Sequence, residues 1–147
     1  MTNYHQFWGV VTGRTLYAIL KGLTGIAKTG TMTATYTGGI STTQTVPYVD
    51  FLDGTRIVWQ PAAGLKLARA FVLYGSLYAS KPIYVDLEKS FTSGFAFNVS
   101  SRVGTGASWT TATVVNVSEA IFWAIDIASR AVNSTAVTSW IAVGRWK

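Results

Sequence analysis

Asp86 and Glu88 stand two residues apart in "IYVDLEKSF", so an extended backbone would put both carboxyl groups on one face. Two carboxyls on one face are the least that general acid–base chemistry needs. The same spacing also describes the wetted side of a half-buried strand, and no nearby residue adds to the pair. His5, the single histidine, lies close to a terminus. The chain has no Gly-x-Ser-x-Gly elbow, no phosphate-binding loop and no His/Cys cluster. No catalytic residue, metal ligand or cofactor is therefore assigned, and an enzyme is not expected. "TYTGG" and "GTGAS" are glycine-rich but open no helical pattern, so they read as turns and not as anion cradles.

The aromatic residues are more informative: six Trp, seven Tyr and seven Phe in 147 residues. Trp and Tyr offer a flat apolar face with a polar handle, which suits sugar rings and subunit interfaces alike. Trp123 and Trp140 are embedded in strand-like runs and read as core. Trp109 follows "RVGTGAS" at a loop edge and is a recognition candidate, with packing as the competing reading. Arg145 and Trp146 follow Gly144, where the chain is expected to leave its last strand. That placement assigns them to a subunit interface.

These residues sit in a chain that is 49% hydrophobic and only 12% charged. The charge content is about half the roughly 25% of ordinary globular proteins, so Thr, Ser and Gly must supply much of the surface. A surface so neutral suggests that other subunits cover part of it. The absence of cysteine leaves no disulfide framework. Net charge is +6, but the basic residues are scattered singly, unlike the stripe a nucleic-acid binder presents. Attraction to anionic polysaccharide remains compatible with it. "LYAILKGLTGIA" is interrupted by Lys21 and Gly22 and is shorter than the ~20 residues of a membrane span. No secretory signal is recognisable either, so the expectation is a soluble protein without membrane insertion.

Period-two alternation organises the second half. It places Ile83, Val85 and Leu87 opposite Tyr84, Asp86 and Glu88, and Phe95, Phe97 and Val99 opposite Ala96 and Asn98. In "AIFWAIDIAS" it groups Ile121, Trp123, Ile125 and Ile127, with Asp126 outside; β-branched and aromatic content favours a strand over a helix. In the first half "FWGVVTGRTLYAIL" and "TMTATYTG" read as strands. "VDFLDGTRIVW" reads as a hairpin turning at Asp53-Gly54, and "PAAGLKLA" as a loop or single helical turn. Short strands separated by polar turns predict an all-β, antiparallel sandwich or barrel.

From about residue 70 to 147 the sequence resembles the C-terminal receptor-binding domain of tailed-phage tail fibres, a small β-sandwich related to the H-type lectins. "FVLYGS", "IYVDLEKSFTS", "TATVVNVSEAIFWAI" and "VTSWIAVGRW" follow that family's strand order, and the ending is the most specific part. The resemblance implies a homotrimer on a virion tail or fibre tip, assembled in the host cytoplasm and binding host surface polysaccharide without cleaving it. A purely structural virion protein, built on the same sandwich, is the alternative. Residues 67–147 would form the receptor-binding domain, and residues 1–66 a smaller β-rich region docking to other tail proteins. The lectins' aromatic-His sugar contact has no counterpart in "IASRAVNSTA", and threonine near "WTTAT" stands where their N-acetylgalactosamine binders use arginine. That sugar specificity is not carried over. The candidate ligand-binding set is Arg102, Trp109, Arg130 and Asn133, the last two being equally suited to a turn.

Overall fold

The computed structural model describes residues 25–39, 42–67, 69–103 and 108–147. These form ten strands: β1 (Ile26–Gly38), β2 (Thr42–Phe51), β3 (Thr55–Lys66), β4 (Val72–Tyr74), β5 (Leu77–Ala79), β6 (Ile83–Leu87), β7 (Ala96–Val103), β8 (Ser108–Val114), β9 (Glu119–Asp126) and β10 (Thr135–Arg145). Every pairing is antiparallel. The sheet runs β4-β5-β9-β6-β1-β2-β3-β10-β7, and β8 also pairs with β9. It curls over one core until β7 and β8 meet. There the Thr110 hydroxyl donates to the Val99 carbonyl (2.7 Å), and Ser108 Oγ accepts from the Val103 amide (3.2 Å). The fold is an all-β antiparallel sandwich, and no described residue is helical.

Residues 25–66 belong to the same sheet as the strands that follow the expected boundary at residue 66. They supply the centre of the sheet, with β1 paired to β6 and β3 to β10. The reason lies in the alternation of "KTGTMTATYTG". Thr29, Thr31, Thr33 and Thr37 face water, while Met32, Ala34 and Tyr36 enter the same core as Ile83, Val85 and Leu87. The strand expected across residues 7–20 lies outside the described residues, as does His5.

The β2–β3 hairpin turns where expected. Gly54 takes a positive φ of 92° and its amide donates to the Phe51 carbonyl at 3.0 Å. The Asp53 carboxylate accepts from the Thr55 amide (2.8 Å) and hydroxyl (3.0 Å), and the amide bond above all holds its pKa below the ordinary value. Pro61–Lys66, expected as a loop, instead continues β3 opposite β10. Pro61 is tolerated there because the register shifts between Thr138 and Trp140, a bulge that does not need its missing N–H.

Two strands carry their more apolar alternate set outward. In β9, Ala120, Phe122, Ala124 and Asp126 face the core. Trp123 and Ile125 are half-buried on the other side, and Ile127 is 60% exposed. This reverses the expected phase and removes Trp123 from the core. Asp126 can point inward because Arg130 neutralises it, with Nε at 2.9 Å and Nη2 at 2.7 Å from Oδ2. The Ala128 amide fills its other oxygen at 2.9 Å. In β3, Arg56, Val58 and Gln60 face inward, whereas Ile57 and Trp59 face outward.

Trp140 occupies the core, as its strand pattern predicts, at 3% exposure. Its indole N–H is shared between the Tyr36 hydroxyl (2.7 Å) and Gln60 Oε1 (2.8 Å). Gln60 Nε2 in turn donates to the Thr138 carbonyl (3.3 Å), and the Thr138 and Ser101 hydroxyls bond at 3.1 Å. Burial raises the Tyr36 hydroxyl above its ordinary pKa of 10.0, against the opposing pull of the Trp140 N–H. A phenol whose folded pKa is raised contributes fully below the unfolded value, and that contribution is lost as pH climbs from there towards the folded one. The natural chain is therefore expected to lose up to about 1.4 kcal/mol of stability per pH unit above about pH 10 that Tyr36→Phe retains. Urea melts at alkaline pH measure the difference; parallel alkaline losses in the two chains would refute it.

Gly144 is not where the chain leaves the sheet. β10 continues to Arg145, opposite Thr55. A Cβ on Gly144 would come within 2.7 Å of both Phe91 and Phe95, whose rings stack 4.5 Å apart over it. Trp146 then packs on the hairpin turn of its own chain, its amide bonding the Gly54 carbonyl (2.9 Å) and its indole the Phe51 carbonyl (3.1 Å).

Candidate functional site

The outward side of β3, β10 and β7 carries a shallow shelf. Register places Trp59 beside Ile141, and Ile141 beside Asn98. Ser139 and Ser100, also paired, form the next row. Antiparallel neighbours project to the same face, so these five side chains surround one depression of about 330 Å³. Trp59 is 37% exposed and Ile141 42%. The Trp59 indole N–H, the Asn98 amide and the two serine hydroxyls have no hydrogen-bond partner among the described residues. An indole face rimmed by uncharged donors and acceptors presents an apolar surface and hydrogen-bonding capacity together.

A second concavity of about 500 Å³ lies along the β4–β5 hairpin, β9 and β8. Trp123 and Ile125 form its floor, Leu73 and Tyr74 part of its wall, and Lys81 and Thr111 contribute polar atoms. Both concavities therefore sit on the two strands whose apolar set is turned outward.

The structure disperses the residues expected to bind ligand. Arg102 is exposed on the same face of β7 as Asn98 and Ser100, one alternate position beyond the shelf. Trp109 is 42% exposed and stands opposite Ile125, at the border of the larger groove. Arg130 is engaged with Asp126, and its carbonyl accepts from the Phe71 amide at 2.9 Å. Asn133 takes a positive φ of 66° and donates its amide to the Leu67 carbonyl at 2.9 Å, the work of a turn residue. Trp59 was not singled out. The signal available for it was its alternation with Arg56 and Gln60, which hydrophobicity alone reads with the opposite phase.

The carboxylate pair does not converge on either concavity. The Glu88 carboxylate accepts from the Thr33 amide at 2.8 Å, and that bond is the main cause of its lowered pKa. A general acid at neutral pH needs a shift in the other direction. No three His, Cys, Asp or Glu side chains cluster as metal ligands among the described residues. In comparison with known proteins, no family model, no curated sequence and no solved structure matches this chain.

Proposed function

We propose that this protein is a recognition module of the phage tail-fibre-tip kind that holds a neutral sugar ring of host surface polysaccharide against Trp59 without cleaving it. One observation carries the reading: a partly exposed indole, its own N–H unengaged, framed by three further unengaged, uncharged hydrogen-bonding side chains. A pyranose has the complementary surface, C–H groups on its face and hydroxyls around its edge. Arg102 extends the rim toward anionic substituents of the same polymer. Such a shelf is shallow, so single-site affinity is low. Display as a homotrimer on a virion tail, joined to other tail proteins through the N-terminal region, raises apparent affinity by roughly two to four orders of magnitude.

The test is saturable binding to purified bacterial surface polysaccharides. Trp59→Ala is expected to weaken binding about tenfold or more while leaving the melting temperature within a few degrees of the natural chain. Undiminished binding by the variant, or no saturable binding to any host fraction, would sink the reading.

A structural role in the virion is the second reading. It is favoured by Leu73 and Tyr74, 62% and 82% exposed at the hairpin, and by Ile127, 60% exposed just past the end of β9. Under that reading, cells adsorb none of the purified protein while antibodies still find it on particles.

A further inference from the structure

We propose that the groove along the β4–β5 hairpin binds an anionic amphiphile, a single aliphatic chain ending in a carboxylate, with the chain along Trp123 and Ile125 and the head group at Lys81. This is independent of the sugar reading, because the two concavities share no residue. The volume of about 500 Å³ falls in the range of small-ligand sites, roughly 300–1,000 Å³. The chemistry of the walls decides the ligand class. Val72, Leu73, Ala79 and Pro82 present only C–H surface.

The polar groups are few, and only one is charged. The Ser80 hydroxyl is already used, accepting from the Ala124 amide at 3.0 Å. Thr111, the Tyr74 hydroxyl, the Trp123 indole N–H and Lys81 remain; of these only Lys81 carries a charge, and it makes no hydrogen bond or ion pair among the described residues. An apolar trough with one unpaired cation at its rim matches a ligand with an apolar body and one negative end. Local architecture holds this shape open. Gly75, at φ 64°, turns the hairpin in two residues, and the Ala79–Ile125 pairing fixes the hairpin beside β9. Beneath it, the Asp126–Arg130 ion pair secures the loop whose Arg130 carbonyl bonds the entry to β4.

The experiment titrates the full chain with dodecanoate and with dodecanol below their aggregation limits, followed by tryptophan fluorescence and calorimetry. One dodecanoate is expected to bind per chain, about threefold to fivefold more tightly than the alcohol, the gain of one exposed charge pair. Lys81→Gln removes that preference and leaves dodecanol binding unchanged. Trp123→Ala weakens both ligands about tenfold, Trp59→Ala weakens neither, and decanoate, two methylenes shorter, binds roughly fifteenfold less tightly than dodecanoate. Equal binding of acid and alcohol by the natural chain overturns the proposal, as does binding indifferent to Trp123→Ala. If dodecanoate does not bind and Tyr74→Ser converts an oligomer to monomer in sedimentation, the groove is a subunit interface and the proposal fails.

Discussion

Arg56→Ala is expected to destabilise the fold by about 3–5 kcal/mol, the cost of leaving a buried charge without its partner. Asp50 is 2% exposed and both its oxygens are held by this guanidinium, Oδ1 by Nε at 2.7 Å and Oδ2 by Nη2 at 2.9 Å. Arg56 Nη1 also donates to the Ser90 carbonyl at 3.2 Å, and the guanidinium lies 5.2 Å from the centre of the Tyr48 ring. Alanine removes all of these and leaves the carboxylate in a low-dielectric interior. In a domain whose whole stability is on the order of 5–15 kcal/mol, that is a large fraction. Replacing both partners, Asp50→Leu with Arg56→Leu, removes the charges together and is expected to recover most of the loss. Urea denaturation of the three variants measures this. A double variant no better than Arg56→Ala would show that shape, and not charge, makes the site essential.

Which parts of this fold were legible follows from where each inward polar side chain finds its partner. β6 and β7 read correctly because their inward sets, Ile83, Val85 and Leu87 in one and Val99, Ser101 and Val103 in the other, meet the core with small or apolar groups. The β2–β3 turn was legible because Asp53-Gly54 determines it locally. β9 was read in the opposite phase, and no phase was read for β3, because the partners that let their polar residues turn inward are not written in the strands themselves. Gln60 meets Trp140, 80 positions away, and Asp126 meets Arg130 beyond the strand's end. Hydrophobic alternation cannot register a buried charge that another element neutralises.

The same blind spot hid the surface sites. Once Gln60 and Asp126 go inward, Trp59 and Trp123 must go outward, since neighbours along a strand alternate faces. Exposed tryptophans therefore appear where local pattern and tertiary packing disagree, and such disagreements concentrate at functional surfaces. Trp109 was legible as exposed because it follows a glycine-rich turn; for Arg130 the ligand and turn readings stayed level because its carboxylate partner, Asp126, was placed on the outer face of its strand.

Trp140→Ala is expected to cost about 3–5 kcal/mol through the lost packing of a large buried ring. In a domain of this size that lowers the melting temperature by roughly 6–20 °C, at about 2–4 °C per kcal/mol. Trp140→Phe separates packing from hydrogen bonding. Phenylalanine keeps most of the contact with Phe97, whose ring centre lies 5.6 Å away, but deprives the Tyr36 hydroxyl and Gln60 Oε1 of their shared donor. Unsatisfied buried groups cost about 1–3 kcal/mol each, less where Tyr36 can turn its own proton toward Gln60. Adding Tyr36→Phe to Trp140→Phe removes one orphan and should recover part of that loss, a coupling a double-mutant cycle reads directly. Because Trp140 is only 3% exposed beneath the shelf, Trp140→Phe should leave polysaccharide binding intact below its melting temperature. Trp59→Ala should show the reverse, a normal melt with lost binding. If Trp140→Phe is as stable as the natural chain, the network contributes nothing, and the inward phase of Gln60 needs another cause.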